Sequence, residues 1–315
     1  MRPCTVCGSK DTKKISVSDM HYGIDGEFSY VSCLTCKFIE IENVNKELLS
    51  NFYEQAAYYA YHSNVKNQTY GLILQLYKRL KLTLPRRIIL FFLKFISSGR
   101  FWWIGAMETK NVKFLDVGCG SGRLVWITSE MEYNSCGIDI SHEGVNIGKS
   151  HNLDILKGDF SSFNFGRRKF DVIHSNHSLE HMEDINSVMR SMKEISLKET
   201  IIYLRVPNSN SLTARKPRTW YYFGAPLHLN LLSPTSIKIL AKNHNFEVLS
   251  IKQKWDTTEL LSILTRKLSG RRTLIQSSKF LNNRFLLCLM APLVLLLNQI
   301  VPGSNLEVVL RQKSS

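Results

Sequence analysis

From Asn111 to Ile251 short apolar, β-branched runs alternate with stretches of helical period, and few folds accommodate that order. Lys113–Val117 reads as a strand, followed by an apolar-periodic helix from about Arg123 to Met131. Ser135–Ile140 is a second strand, and Ser141 is placed to cap the helix after it. Asp154–Leu156 is a short third strand and Phe170–His174 a fourth. A helix from about Asp184 carries Ile185, Val188, Met189, Met192 and Ile195 on one face. Thr200–Val206 is a fifth strand, Ser233-Pro234 opens another helix, Phe246–Ile251 is a sixth strand and Leu306–Leu310 a seventh. Strands alternating with helices at this spacing build a mostly parallel, doubly wound α/β sheet of seven strands.

The first strand runs into a glycine loop, Phe114-Leu-Asp-Val-Gly-Cys-Gly-Ser-Gly122. Gly118, Gly120 and Gly122 permit a tight turn and close backbone approach of a ligand at the strand's carboxyl end. Arg123 stands where a dinucleotide fingerprint needs its third glycine, and no Gly-Lys-Ser/Thr follows, so nicotinamide and P-loop sites are disfavoured. These residues resemble the acidic-Gly-x-Gly-x-Gly motif of class I S-adenosylmethionine (SAM)-dependent methyltransferases, whose sheet is Rossmann-like. By that resemblance Asp116 favours the ammonium group of SAM. Asp139, ending the second strand, receives the ribose hydroxyls; Asp159 and Phe160 face the adenine; Asn176 and its neighbours lie beside the methyl group. The resemblance covers about residues 111–255 and implies SAM as cofactor.

Methyl transfer is an in-line displacement at a carbon already activated by positive sulfur. Alignment, exclusion of water and removal of a proton are what a protein adds. His177, Glu180 and His181 follow the fourth strand, and His228 lies in the connection after the fifth; these four are the candidate catalytic residues. Leu-Glu-His recurs in the family, including ubiquinone-type O-methyltransferases. Nucleobase amino-methyltransferases carry Asn/Asp-Pro-Pro-aromatic after the fourth strand, whereas Ser175-Asn-His-Ser stands here, so the exocyclic amines of adenine or cytosine are disfavoured; an oxygen acceptor suits the histidines better, with carbon acceptors left open. Lys216, Arg218, Trp220, Tyr221 and Tyr222, in the connection after strand five, are candidates to hold that acceptor.

Cys4-x2-Cys7 and Cys33-x2-Cys36 have the spacing of a closed, structural four-thiolate zinc site. Between them Ile15–Val17 and Phe28–Ser32 alternate as a β-hairpin should, so 1–42 is expected to be a zinc ribbon. The chain opens Met-Arg-Pro-Cys with no apolar stretch, which predicts reduced thiols in the cytoplasm. The expected organisation is a ribbon at 1–42, a helical basic and apolar connection at 43–110 and a SAM-binding core at 111–255. A basic, apolar helical insertion at 256–305 and a last strand and tail at 306–315 complete it. Ribbon-plus-methyltransferase chains resemble enzymes of bacterial surface-polysaccharide synthesis, which implies a glycan, lipid-linked glycan or small acceptor.

The net charge of +15 is localised. Gln55–Met107 holds eight basic residues and no acid; Leu260 to the end holds eight and one acid, Glu307. Both stretches interleave these charges with aliphatic and aromatic runs, and Phe285–Leu297 is thirteen consecutive apolar residues broken by Pro292. Thirteen is short of the roughly 20 a bilayer span needs. Because strands six and seven bracket this run and share one sheet, only an even number of crossings, zero included, is permitted. An interfacial anchor on the anionic inner leaflet is the expectation. Nucleic acid is disfavoured, since a phosphate-tracking surface has no need of the aliphatic runs. An RNA methyltransferase and a non-catalytic SAM-binding scaffold are the competing functional readings.

Overall fold

The computed structural model describes residues 2–20, 24–49, 65–66, 71, 74–75, 111–269 and 284–313. The expected N-terminal hairpin is formed by β1 (Thr12–Ser18) and β2 (Glu27–Cys33), paired antiparallel along their whole length. A third strand, β3 (Ile39–Ile41), adds to β2.

The alternating region follows the order read from the sequence. β4 (Lys113–Val117) leads to α1 (Arg123–Glu130), β5 (Asn134–Asp139), α2 (His142–Ser150) and β6 (Ile155–Lys157). Then come β7 (Phe170–Asn176), α3 (Ile185–Ile195), β8 (Ser196–Pro207), the two-residue β9 (Asn230–Leu231) and α4 (Pro234–Asn243). β10 (Phe246–Lys254), α5 (Thr257–Ser269), α6 (Arg284–Ile300) and β11 (Asn305–Gln312) complete the chain. Local chemistry sets the helix starts. Ser141 accepts from the Gly144 amide, Asp184 from the Asn186 amide, and Ser233 and Ser236 form a reciprocal capping box behind Pro234. The face of α3 anticipated from its period is the buried one. β8 begins earlier than its apolar run because Thr200 Oγ1 donates to the Phe170 carbonyl and accepts from the Leu197 amide, which carries Ser196–Glu199 into the sheet.

The seven-stranded sheet has the order β10-β11-β8-β7-β4-β5-β6. β6, β5, β4, β7 and β8 run parallel, and β11 is antiparallel to both β8 and β10. The chain winds outward from β4 in both directions, so the crevice of this sheet opens at the carboxyl ends of β4 and β7. One face of the sheet packs on α3 and α4. On the other, Phe114, Trp126 and Tyr203 cover Val65 and Leu74, two of the few described residues of 43–110.

The ribbon is joined to this core more closely than its sequence position suggests. Cys4, Val6, Cys33, Cys36 and Phe38 belong to the same apolar cluster as Ile237, Leu240 and Phe246. β3 pairs with β9, which lies in the connection after β8, so a four-stranded antiparallel sheet spans both parts. Trp220 and Phe223 from that connection fill the space under Tyr30 and Ile39, and the Arg218 guanidinium donates to the Ser16 carbonyl. Trp220 is 1% exposed, which removes it from the acceptor contacts anticipated above and makes it a plug between ribbon and core. Most of the basic stretch 55–107, and 270–283, fall outside the described residues. Among the described residues no helix is long and apolar enough to cross a membrane.

Candidate active site

Gly118, Gly120 and Gly122 all have positive φ (72°, 54° and 82°), so the loop after β4 takes a path that side chains oppose. At Gly118 there is a second reason. A Cβ there would lie 2.3 Å from Ser178 Cβ, where the loop presses on the turn after β7. Ser178 Oγ in turn donates to the Val117 carbonyl at 2.8 Å, tying the ends of β4 and β7 together.

The expected cofactor residues line up along this rim. Asp139 accepts from the Gly120 amide (2.7 Å) and the Ser141 amide (2.9 Å), coupling the glycine loop to α2. Burial raises its carboxyl above the ordinary range, against the pull of those amides. Asp159, exposed beyond β6, accepts from the Ser161 amide and from the hydroxyls of Ser161 and Ser162. The Phe160 ring is packed in the core, edge-to-face with Phe165 at 5.8 Å, so a ligand at Asp159 would not meet its face. Asn176 ends β7 in an exposed position. Asp116 is buried, and its Oδ1 lies 2.9 Å from Nδ1 of His174 on β7. His174 is buried and meets Asp116 because the two are paired positions of β4 and β7.

The four candidate catalytic residues come together at the end of β7. His177 has φ 53°, uncommon for a residue with a side chain, and its amide donates to the Arg205 carbonyl at 2.8 Å. Its Nδ1 lies 3.0 Å from Glu180 Oε1, and its ring stacks on Tyr222 with centroids 5.5 Å apart. Tyr222 is itself held, its hydroxyl on Asp256, which Arg205 and Asn305 also contact. Glu180 is fully buried. Burial alone would raise its carboxyl, yet the His177 hydrogen bond and the neighbouring histidines His177, His228 and His181 together outweigh it and hold the group below the usual carboxylate range. Its Oε2 has no hydrogen-bond partner.

His181 and His228 stand edge-to-face, 4.8 Å apart. Each directs Nδ1 at a backbone carbonyl, Leu227 at 3.0 Å and Tyr222 at 2.9 Å. Burial lowers the pKa of both, that of His228 to about 3, so both rings are neutral at ordinary pH. Glu180, His181 and His228 each offer a ligand atom within 4.8 Å of the other two. The ribbon builds this wall of the site: the Tyr30 hydroxyl donates to the His228 carbonyl, and the Leu229 amide donates to the Glu180 carbonyl while the Leu229 carbonyl accepts from Ile41. At the ribbon's far end Cys4, Cys7, Cys33 and Cys36 converge, with sulfurs 3.6 Å (Cys4 and Cys36) and 3.5 Å (Cys7 and Cys33) apart. Four zinc–sulfur bonds of about 2.3 Å in a tetrahedron place sulfurs about 3.8 Å apart, so this cluster suits a zinc ion.

A family pattern described as "Methyltransferase domain" matches residues 72–251. The ubiquinone biosynthesis O-methyltransferase of Pelagibacter ubique is 30% identical over 104 residues, which is 31% of this chain and 43% of that protein. The ajmaline N-methyltransferase of Rauvolfia serpentina is 27% identical over 158 residues, 42% of this chain and 54% of that one. The matches thus span about half the length of these relatives. Among solved structures, a SAM-dependent methyltransferase from Archaeoglobus fulgidus superposes with a TM-score of 0.48 at 16% identity, covering 70% of this chain and 94% of that one. The magnesium protoporphyrin IX methyltransferase of Synechocystis gives 0.49 at 10% identity, over 85% and 100% of the two chains.

Proposed function

The chain belongs to the methyltransferase-domain family, and from that premise we propose that it moves the methyl group of SAM to an oxygen of a small acceptor beside His177 and Glu180. The observation that carries the reading is the pairing of His177 with a buried, ionised Glu180 at the sheet's crevice, next to the glycine loop. With Nδ1–H donated to Glu180, the Nε2 lone pair of His177 is the base. The His177 side chain is 24% exposed, enough to meet an acceptor, whereas His228 is 9% exposed.

Bound SAM supplies a methyl carbon activated by its sulfonium. Residues here fit it: the loop carries no side chain at three positions, and the Asp139 oxygens, each accepting one amide, keep lone pairs for ribose hydroxyls. In the reaction His177 would take the acceptor's O–H proton while the oxygen bonded to the methyl carbon that SAM would supply, the carbon–sulfur electron pair leaving with sulfur. The products are methyl ether, S-adenosylhomocysteine and a proton. Held alignment is worth about 7–11 kcal/mol of the barrier, and the base a further ~10²–10⁴-fold.

Two measurements separate binding from chemistry. Asp139→Ala should weaken SAM binding roughly 10–100-fold by calorimetry, the range of hydrogen bonds to a charged group; unchanged affinity would remove Asp139 from the pocket. His177→Gln should lower kcat by about 10²–10⁴ with SAM affinity preserved. A kcat within a few-fold of wild type would hand the proton to another group.

The acceptor is read as a glycan, lipid-linked glycan or related hydroxyl compound at an anionic membrane surface. Supporting this, α6 exposes Leu293, Leu295, Leu296 and Ile300 in a chain of net charge +15. Purified protein should float with vesicles containing anionic lipid and stay behind with neutral ones; absence from both would withdraw the membrane. In the ribbon, Cys4, Cys7, Cys33 and Cys36 are proposed to hold a structural zinc ion.

A further inference from the structure

We propose that Glu180, His181 and His228 form a second metal site, for a first-row divalent cation of the zinc type, which takes the acceptor's oxygen as a further ligand. Three observations converge on these residues. Each offers a ligand atom within 4.8 Å of the other two. Glu180 Oε2 is fully buried and has no hydrogen-bond partner, although its sister oxygen is engaged by His177. A buried carboxylate oxygen left this way is costly unless a cation or donor meets it.

The third observation is the tautomer of both histidines. A backbone carbonyl can only accept, so Nδ1 of His181 and of His228 must carry the proton it gives to Leu227 and Tyr222. In a neutral ring the lone pair then falls on Nε2. Metal-binding histidines are oriented in this way, with the other ring nitrogen donating to a carbonyl or carboxylate. Two imidazoles and one carboxylate make the three-ligand set of catalytic sites, which leave a position open for water or substrate.

The ion's role rests on the methyl-transfer reading; its presence does not. An acceptor hydroxyl on the open position becomes more acidic, as water does on zinc. Glu180 would then face the ion with Oε2 and His177 with Oε1, placing the base beside the coordinated oxygen. The acceptor class narrows to hydroxyls able to bind a metal, such as phenols or hydroxyls next to a second oxygen.

The test is metal stoichiometry on the full chain, loaded with zinc or cobalt, desalted and measured by elemental analysis. About two equivalents per chain are expected, falling to about one in Glu180→Gln and in His228→Asn. Cobalt distinguishes the two sites in the wild-type protein, so the result does not depend on the variants folding. The ribbon equivalent brings sulfur-to-cobalt charge-transfer absorption; the second should add ligand-field bands without it. A single equivalent carrying the sulfur absorption, or two that both substitutions leave in place, would overturn the site. Because none of these readouts needs SAM, a missing metal with intact SAM binding refutes the ion alone.

Discussion

Glu259 is an acid buried to 1% exposure in the first turn of α5, held by the hydroxyls of Thr213 and Ser304. Burial pushes its carboxyl up to about 7. The folded state therefore binds this proton more tightly than the unfolded chain, and its contribution to stability is fully present below about pH 4.5. That contribution is lost as pH rises through about 7, a difference on the order of 3 kcal/mol. Glu259→Gln should flatten the fall in stability between about pH 5 and 8 and raise the melting temperature at pH 8; an unchanged pH profile would mean the carboxyl is ionised in the fold. Nothing local in the sequence marks this residue, because its partners are 46 and 45 positions away. His174 was hidden for the same reason, its significance being a cross-strand register with Asp116. Leu-Glu-His and the glycine loop were legible because their chemistry is contiguous: His177 and Glu180 lie three residues apart and meet in one turn.

At the level of elements, parallel strands were readable from their apolar runs, and caps from Ser141 and Ser233-Pro234. β9 was not, since Asn230-Leu231 is too short to show a period and is a strand only because β3 lies beside it. The connection that carries it also seats His228. Gly224 has φ 60°, and a Cβ on it would lie 2.5–2.6 Å from three atoms of the His228 ring. Gly166 has nearly the same φ, 59°, with nothing within 4 Å of such a Cβ. Gly166→Ala therefore isolates the backbone penalty, about 1 kcal/mol, with kcat unchanged. Gly224→Ala should add the displacement of His228 and lower kcat at least about tenfold. Equal effects of the two in denaturant melts and turnover would show that the ring has room to move.

For the whole molecule, the doubly wound sheet followed from the order of segments, whereas the union of ribbon and core did not. Ribbon spacing is a local pattern, but the burial of Phe38 among residues of α4 and β10 is tertiary. One cluster holds Cys33 and Cys36 together with Leu240 and Phe246, so the two parts should not melt separately. Stripping the metal proposed for the four cysteines with a chelator, or Cys33→Ser, should lower a single unfolding transition seen alike by far-UV circular dichroism and by tryptophan fluorescence, Trp220 included. Two resolved transitions, with the sheet's unmoved, would mean an independent ribbon.

The Tyr30 hydroxyl that rests on the His228 carbonyl joins residues 198 positions apart. A ribosome adding ~5–20 residues per second needs roughly 10–40 s to pass from one to the other. Throughout that interval the nascent hairpin exists without its fourth strand, its edge bare and its aromatic underside wet. The earlier-made of the two parts is thus among the last to be completed, and it waits on the same stretch that delivers a histidine to the site.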